Sequence, residues 1–176
     1  TEGLKKLGAY VIYDTSKLKI SEFIDNKKDT LIIYSSAISK EHPILKVFLE
    51  NKFKVYKRSE ILQKISKFGQ CIAIAGTHGK TTTTAILAHI LKVADFSFCA
   101  FVGGIMENYN SNFIYNGEDF ILVEADEFDR SFLNLNPNFA CITSLDVDHL
   151  DIYEDSENLN KAFKEFKNNL LDGGFL

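Results

Sequence analysis

The residues of this chain best suited to chemistry form one short run, Gly76-Thr77-His78-Gly79-Lys80-Thr81-Thr82. It follows an apolar, partly β-branched stretch, Ile72-Ala73-Ile74-Ala75, and precedes Ala85, Ile86, Leu87, Ile90 and Leu91 at helical spacing. The order strand, loop, helix is what anion binding requires. Glycines let the backbone curl so that several N–H groups face one point, and the helix N-terminus adds the positive end of its dipole. Lys80 would bring a point charge to the outer phosphates of a nucleotide, and the Thr81 hydroxyl would be a ligand for Mg²⁺. The match is to the short form G-x-x-G-K-T, since Ile74 stands where the longer phosphate-loop pattern has its first glycine. Residues 76–82 are therefore expected to hold nucleotide phosphates, with His78 flanking them.

Acidic residues supply the second set of candidates. Of 24 Asp and Glu, 12 lie between Glu118 and Glu157, a stretch whose only Lys or Arg is Arg130. Most charge runs are solvated faces, but two carboxylate groups here end strand-like runs. Phe120-Ile121-Leu122-Val123 leads into Glu124, with Asp126, Glu127 and Asp129 beyond; 139–143 leads into Asp146, Asp148 and His149. Ligands of open α/β sheets sit beyond the carboxyl ends of the strands. Carboxylates in that place would repel a nucleotide unless a divalent cation lay between them. Mg²⁺ takes few protein oxygens together with waters and phosphates, so Thr81 and one carboxylate suffice. Glu124 is the expected ligand because it ends its strand, with Asp126 and Glu127 as hydrogen-bonding or surface groups. His149 faces the same cleft in this reading. A metal ligand and a hydrogen-bond partner of a metal-bound water or phosphoryl oxygen fit it equally. His42 and His89 read as structural.

These groups need a frame to position them, and the apolar pattern predicts one. In 1–69, short runs at 10–13, 31–34 and 54–56 read as strands, and 42–51 and 59–66 as helices, which predicts a small α/β unit with a parallel sheet. The pattern breaks at 67–70 and restarts. Strands are expected at 71–75, 97–102, 120–124 and 139–143, helices at 80–93 and 157–171, and a Gly/Asn-rich loop at 103–118. The chain opens on what resembles the end of a helix stopped by Gly8 and closes on a turn, so both ends read as cut from something longer.

Composition narrows the function classes. A net charge of −4 argues against a broad basic surface for nucleic acid. No run of about 18 or more apolar residues suggests a membrane span. Three scattered cysteines, Cys71, Cys99 and Cys141, without a C-x-x-C pair, read as buried reduced thiols of a cytoplasmic protein. Asn26-Lys27-Lys28-Asp29 matches the guanine-reading N-K-x-D, but it precedes the phosphate loop instead of following it, and no D-x-x-G occurs. A polar turn is the better reading.

Together these motifs resemble the Mur ligases, ATP-dependent amide-bond-forming enzymes of peptidoglycan synthesis, and in particular their alanine-adding branch. Residues 75–83 resemble the family's ATP loop. Glu124-Ala125-Asp126-Glu127, continuing through Ser131-Phe132-Leu133 to Leu135-Asn136-Pro137, resembles its second motif. Asp148-His149-Leu150-Asp151 with Tyr153 resembles its third. Residues 34–38 and Arg58 match weaker features of the N-terminal domain. Ser144 stands where many members carry Asn, and Asp126-Glu127-Phe128-Asp129 replaces the commoner D-E-S-D.

The resemblance implies a partial Rossmann-like domain over 1–69 for a UDP-sugar. It is followed by a partial ATP-binding domain over 70–176, P-loop NTPase-like with a mainly parallel sheet. It implies Lys80 on the phosphates, Thr81 and Glu124 on one Mg²⁺, and His149 on a second. ATP and Mg²⁺ are then the cofactors and UDP-N-acetylmuramate and L-alanine the substrates, joined through an acyl phosphate. A murein-peptide recycling ligase of the same superfamily, or a nucleotide-binding fragment without catalysis, is the alternative.

Overall fold

A computed structural model describes residues 2–6, 8–14, 18–127, 130–146 and 156–176. By its internal contacts the chain divides into two compact units, Thr1–Arg58 and Ser59–Leu176. The division falls ahead of the break in pattern at 67–70. The reason is that the helix following Arg58 packs with the second unit: Ile65 lies against its core, and Gln63 Nε2 donates to the Asn134 carbonyl at 2.7 Å.

The first unit contains α1 (Glu2–Lys6), α2 (Ile20–Asp25), β1 (Leu31–Tyr34), α3 (Pro43–Glu50) and β2 (Lys54–Lys57). Helix α1 stops where expected. Gly8 adopts φ +86° and its N–H returns to the Lys5 carbonyl, a left-handed stop that glycine adopts without strain. Strands β1 and β2 pair in parallel, Leu31 opposite Lys54. Pro43 opens α3, where its missing N–H costs nothing. Leu45, Phe48 and Phe53 form the buried centre, with Phe48 edge-on to Phe23 and Phe53.

One expectation for this unit is corrected, and one of its elements was not anticipated. Residues 10–13 form no strand, and Tyr10 and Tyr13 are exposed: an apolar run becomes a strand only where a neighbour satisfies its backbone. Helix α2, six residues long, has too little periodicity to be read from sequence.

The second unit contains α4 (Arg58–Ile65, all but its first residue), β3 (Gln70–Ala75), α5 (Lys80–Val93), β4 (Phe98–Met106), β5 (Ser111–Tyr115), β6 (Phe120–Glu124), β7 (Phe139–Ile142) and α6 (Ser156–Asn168). The sheet order is β5-β4-β6-β3-β7, parallel except for β5. Parity along the strands decides the layers. Cys71, Ala73, Ala75, Cys99, Ile121 and Val123 face one side, where Leu159, Ala162, Phe163 and Phe166 of α6 cover them at i, i+3, i+4, i+7 spacing. Ile74, Ala100, Val102 and Leu122 face the other, against Ala85, Ala88 and Leu91 of α5. Central strands covered on both faces read as continuous apolar runs, which is why β3 and β6 were legible.

The loop expected over 103–118 is instead the arm of a hairpin. Strand β4 continues to Met106 and β5 returns antiparallel, the turn closing on Asn110 at φ +48°. Gly103 and Gly104 lie within β4, where the register with β5 shifts between Phe101 and Met106. Glycine in a strand often marks such an irregularity or a close approach of other groups.

All three cysteines are free. Cys71 and Cys99 are buried as expected, but Cys141, on the edge strand β7, is exposed. Burial pushes the Cys71 thiol up to about 11 against a hydrogen bond from Ser66 that lowers it, and burial raises Cys99 with help from the Glu118 charge. A raised folded-state value stabilises the fold fully below the unfolded thiol's pKa. That contribution is lost as pH climbs from about 9 to about 11. At pH 8 a thiol reagent should modify Cys141 rapidly, and Cys71 and Cys99 only on unfolding. Equal rates at all three, followed by mass spectrometry, would contradict this burial pattern.

Candidate functional site

The site is built where β3 runs out. Its last residue, Ala75, leads into 76–79, and α5 begins at Lys80. Gly76 has φ +128° and Gly79, which caps α5, φ +80°. At Gly76 a side chain is excluded by space as well as by dihedral, since a Cβ would lie 2.2 Å from Thr143 Oγ1 and 2.9 Å from the Ser144 backbone nitrogen. Both glycines are therefore required by the backbone path.

The loop is lashed to the segment leaving β7. Thr77 N–H donates to the Ser144 carbonyl at 3.1 Å, and His78 N–H to Ser144 Oγ at 2.9 Å. Thr77 Oγ1 lies 2.9 Å from Ser144 Oγ and accepts the Asp146 N–H at 3.0 Å. The Thr143 hydroxyl donates to the His78 carbonyl. The buried Thr77 side chain is thus a fastening, turned toward Ser144 and Asp146. The N–H groups of Thr77 and His78 are committed to Ser144, so the donors left to meet an anion are those opening α5, which a helix cannot satisfy internally. No side chain caps this helix. Thr143 and Ser144 were not singled out as tethers in the sequence, because only the pairing of β7 with β3 brings them to the loop.

The register of β6 against β3 places Glu124 opposite Ile74. The Glu124 carboxylate accordingly meets the first turn of α5: Oε2 accepts from Thr81 Oγ1 at 3.0 Å, and Oε1 accepts the Gly103 N–H. Cβ atoms at Gly103 and Gly104 would approach Glu124 Oε2 to 2.6 Å and Thr81 Cγ2 to 3.1 Å. Gly103 thus clears space for this carboxylate, and Gly104 for the Thr81 methyl group. Two adjacent hard oxygens at the mouth of a phosphate loop are a donor set that suits Mg²⁺, which fills its remaining positions with water and phosphate oxygens. Among the described residues no cluster of three or more His, Cys, Asp or Glu could hold a metal by itself.

Lys80 is not extended. Its ammonium donates to the Gly76 carbonyl at 2.6 Å and to Glu127 Oε1 at 2.9 Å, with Oε2 at 2.8 Å and the Thr77 carbonyl at 3.5 Å. The Glu127 side chain is fully buried and that of Lys80 16% exposed. Reading Glu127 as a surface group or generic hydrogen-bonding residue missed this pairing, since nothing in the spacing of a lysine and a glutamate 47 positions apart announces it. Asp126 is exposed, as is the His78 side chain. His89, read as structural, meets Tyr109 Oη through Nδ1 at 2.8 Å. His149, with Asp129 and Asp148, lies outside the described residues, so the structure brings together Lys80, Thr81 and Glu124 of the expected set and says nothing of His149.

Comparison with known proteins gives the arrangement relatives. Residues 74–176 match the Mur ligase middle domain. The chain is 52% identical over 150 residues to the UDP-N-acetylmuramate–L-alanine ligase of Flavobacterium psychrophilum, covering 85% of this chain and 33% of that protein. It is 49% identical over 153 residues to the enzyme of the same name from Christiangramia forsetii, covering 87% and 34%. The crystal structure of UDP-N-acetylmuramate-alanine ligase from Thermotoga maritima superposes with a TM-score of 0.74 at 28% identity, over 95% of this chain and 38% of that one. The chain spans about a third of the length of the curated relatives it matches.

Proposed function

Because this chain belongs to the Mur ligase family, we propose that it is the nucleotide-binding part of an ATP-dependent ligase joining L-alanine to UDP-N-acetylmuramate. The observation that carries the reading is that Lys80 and Thr81, opening an uncapped helix after β3, stand with Glu124 at the end of the adjoining strand β6. The names of the relatives supply the substrates.

In this reading the N–H groups of Gly79, Lys80, Thr81 and Thr82 receive the phosphates, and Gly76, Thr77 and His78 shape and fasten the loop. Lys80 stabilises charge on the transferring phosphoryl group. Thr81 and Glu124 hold Mg²⁺, which when bound neutralises phosphate charge. The muramoyl carboxylate attacks the γ-phosphorus, ADP leaves, and the alanine amine then opens the acyl phosphate to an amide with release of phosphate. Such a reaction asks the protein for positioning and electrostatics, with no covalent help. His149 is assigned to a second Mg²⁺ on the family resemblance alone. The first unit, residues 1–58, forms part of the UDP-sugar domain and the second, from Ser59, part of the ATP domain, in place of the boundary expected at 69/70, and the setting is cytoplasmic.

The test is a ligation assay on a chain of the relatives' length, with ATP, Mg²⁺, UDP-N-acetylmuramate and L-alanine, following phosphate release and product mass. An alanyl product dependent on all four is expected, and Glu124→Ala should raise the Mg²⁺ concentration needed by about tenfold or more. Acceptance of a murein peptide in place of L-alanine would transfer the protein to the recycling branch. The 176 residues alone are expected to bind ATP and form no product, because ligation needs three substrates held in line.

A further inference from the structure

We propose that Glu127 is a positioning residue for Lys80, holding the ammonium by one N–H while the Gly76 carbonyl holds a second, so that the third is the one offered to a phosphate oxygen. The proposal rests on the phosphate-loop reading of residues 76–82 and adds to it a part for a carboxylate that binds neither nucleotide nor metal.

Lysine has three N–H donors. Two are engaged at short range, one with the Gly76 carbonyl at 2.6 Å and one with the Glu127 carboxylate, whose Oε1 and Oε2 lie 2.9 and 2.8 Å away; beyond those two groups, the third meets the Thr77 carbonyl at 3.5 Å. That last contact is at the limit of a hydrogen bond, so a phosphate oxygen can replace it at small cost. Glu127 cannot be exchanged in the same way. Its side chain has no exposed surface, and drawing the ammonium away would leave a buried negative charge without it, which is strongly unfavourable. The pair should therefore persist when nucleotide binds. The chain path supports this geometry. Ala125 N–H donates to the Ile74 carbonyl at 2.9 Å, carrying the residues after β6 alongside the end of β3, and Arg130 N–H closes on the Glu127 carbonyl at 3.0 Å. Glu127 is brought against the loop by the sheet itself, and the loop's own residues need not move to meet it.

An ion pair that merely stabilises the fold would look the same in a static structure, so the test reads the lysine and the nucleotide separately. Acetylation of Lys80 by acetic anhydride, followed by mass spectrometry with exposed Lys40 as internal reference, should be slow in the unaltered protein and about tenfold faster in Glu127→Gln, as the ammonium loses its buried anchor. Mg·ATP affinity, measured by calorimetry, should fall about tenfold in Glu127→Gln but change less than about twofold when the same substitution is made on a Lys80→Met background, the signature of one residue acting through another. The double variant removes both charges, so it remains folded if the single one does not. Unchanged Lys80 labelling in Glu127→Gln overturns the proposal, and so does an equal loss of affinity in both backgrounds. Unchanged ATP affinity in Lys80→Met would instead overturn the phosphate-loop reading, while the labelling result would still judge the pairing.

Discussion

Lys80→Ala should lower turnover in the proposed ligation, assayed on a chain of the relatives' length, by about 10²–10³-fold, the loss typical of removing one donor to a developing negative charge. The ammonium is held at the loop, 2.6 Å from the Gly76 carbonyl and beside the buried Glu127 carboxylate. Two effects have to be separated in that variant. Leaving Glu127 buried without the ammonium is expected to cost the fold about 3–5 kcal/mol, visible as a lower unfolding midpoint. Adding Glu127→Gln should restore much of the midpoint and none of the turnover. Phosphate release and thermal unfolding measured on the same three proteins check both. Near-normal turnover in a folded Lys80→Ala protein would remove Lys80 from the chemistry.

Phe166→Ala should destabilise the second unit by about 3–5 kcal/mol, the range for deleting a fully buried aromatic side chain. Phe166 is 0% exposed and lies 5.2 Å from the Phe132 ring, which in turn meets Phe163 at 5.3 Å. These rings join α6 to the sheet face formed by Cys71, Ala73, Ile121 and Val123. That face lies directly below the ends of β3 and β6, so a cavity there should also loosen the register that sets Glu124 beside Thr81. Urea unfolding gives the stability change; a loss of less than about 1 kcal/mol would mean that the site collapses around the gap and that α6 contributes little.

Much of the second unit was legible in the chain because its strands are buried on both faces. Continuous runs such as Cys71-Ile72-Ala73-Ile74-Ala75 and Phe120-Ile121-Leu122-Val123 leave no other use for their side chains, and helix α5 spans the residues expected of it, 80–93. Local patterns without that pressure misled. Tyr10 and Tyr13 looked like a strand and are exposed, and the Gly/Asn-rich 103–118 looked like a loop and contains the end of β4 and all of β5. In both cases the outcome depended on whether a neighbouring strand was present to accept the backbone.

The division is the same at the site. Residue type and short spacing alone determined the loop 76–82, because a glycine at positive φ, a lysine and a hydroxyl act through their immediate backbone and need few distant groups to be recognisable. The strand-end position of Glu124 could likewise be read from the apolar run before it. What tertiary structure alone decided is which distant groups meet that loop. Ser144 fastens Thr77 and His78 from 67 and 66 positions away, and Glu127 holds Lys80 from 47. Those contacts follow from the parallel pairing of β3 with both β6 and β7, a consequence of how the whole sheet buries its two faces and not of any local preference in the residues that touch.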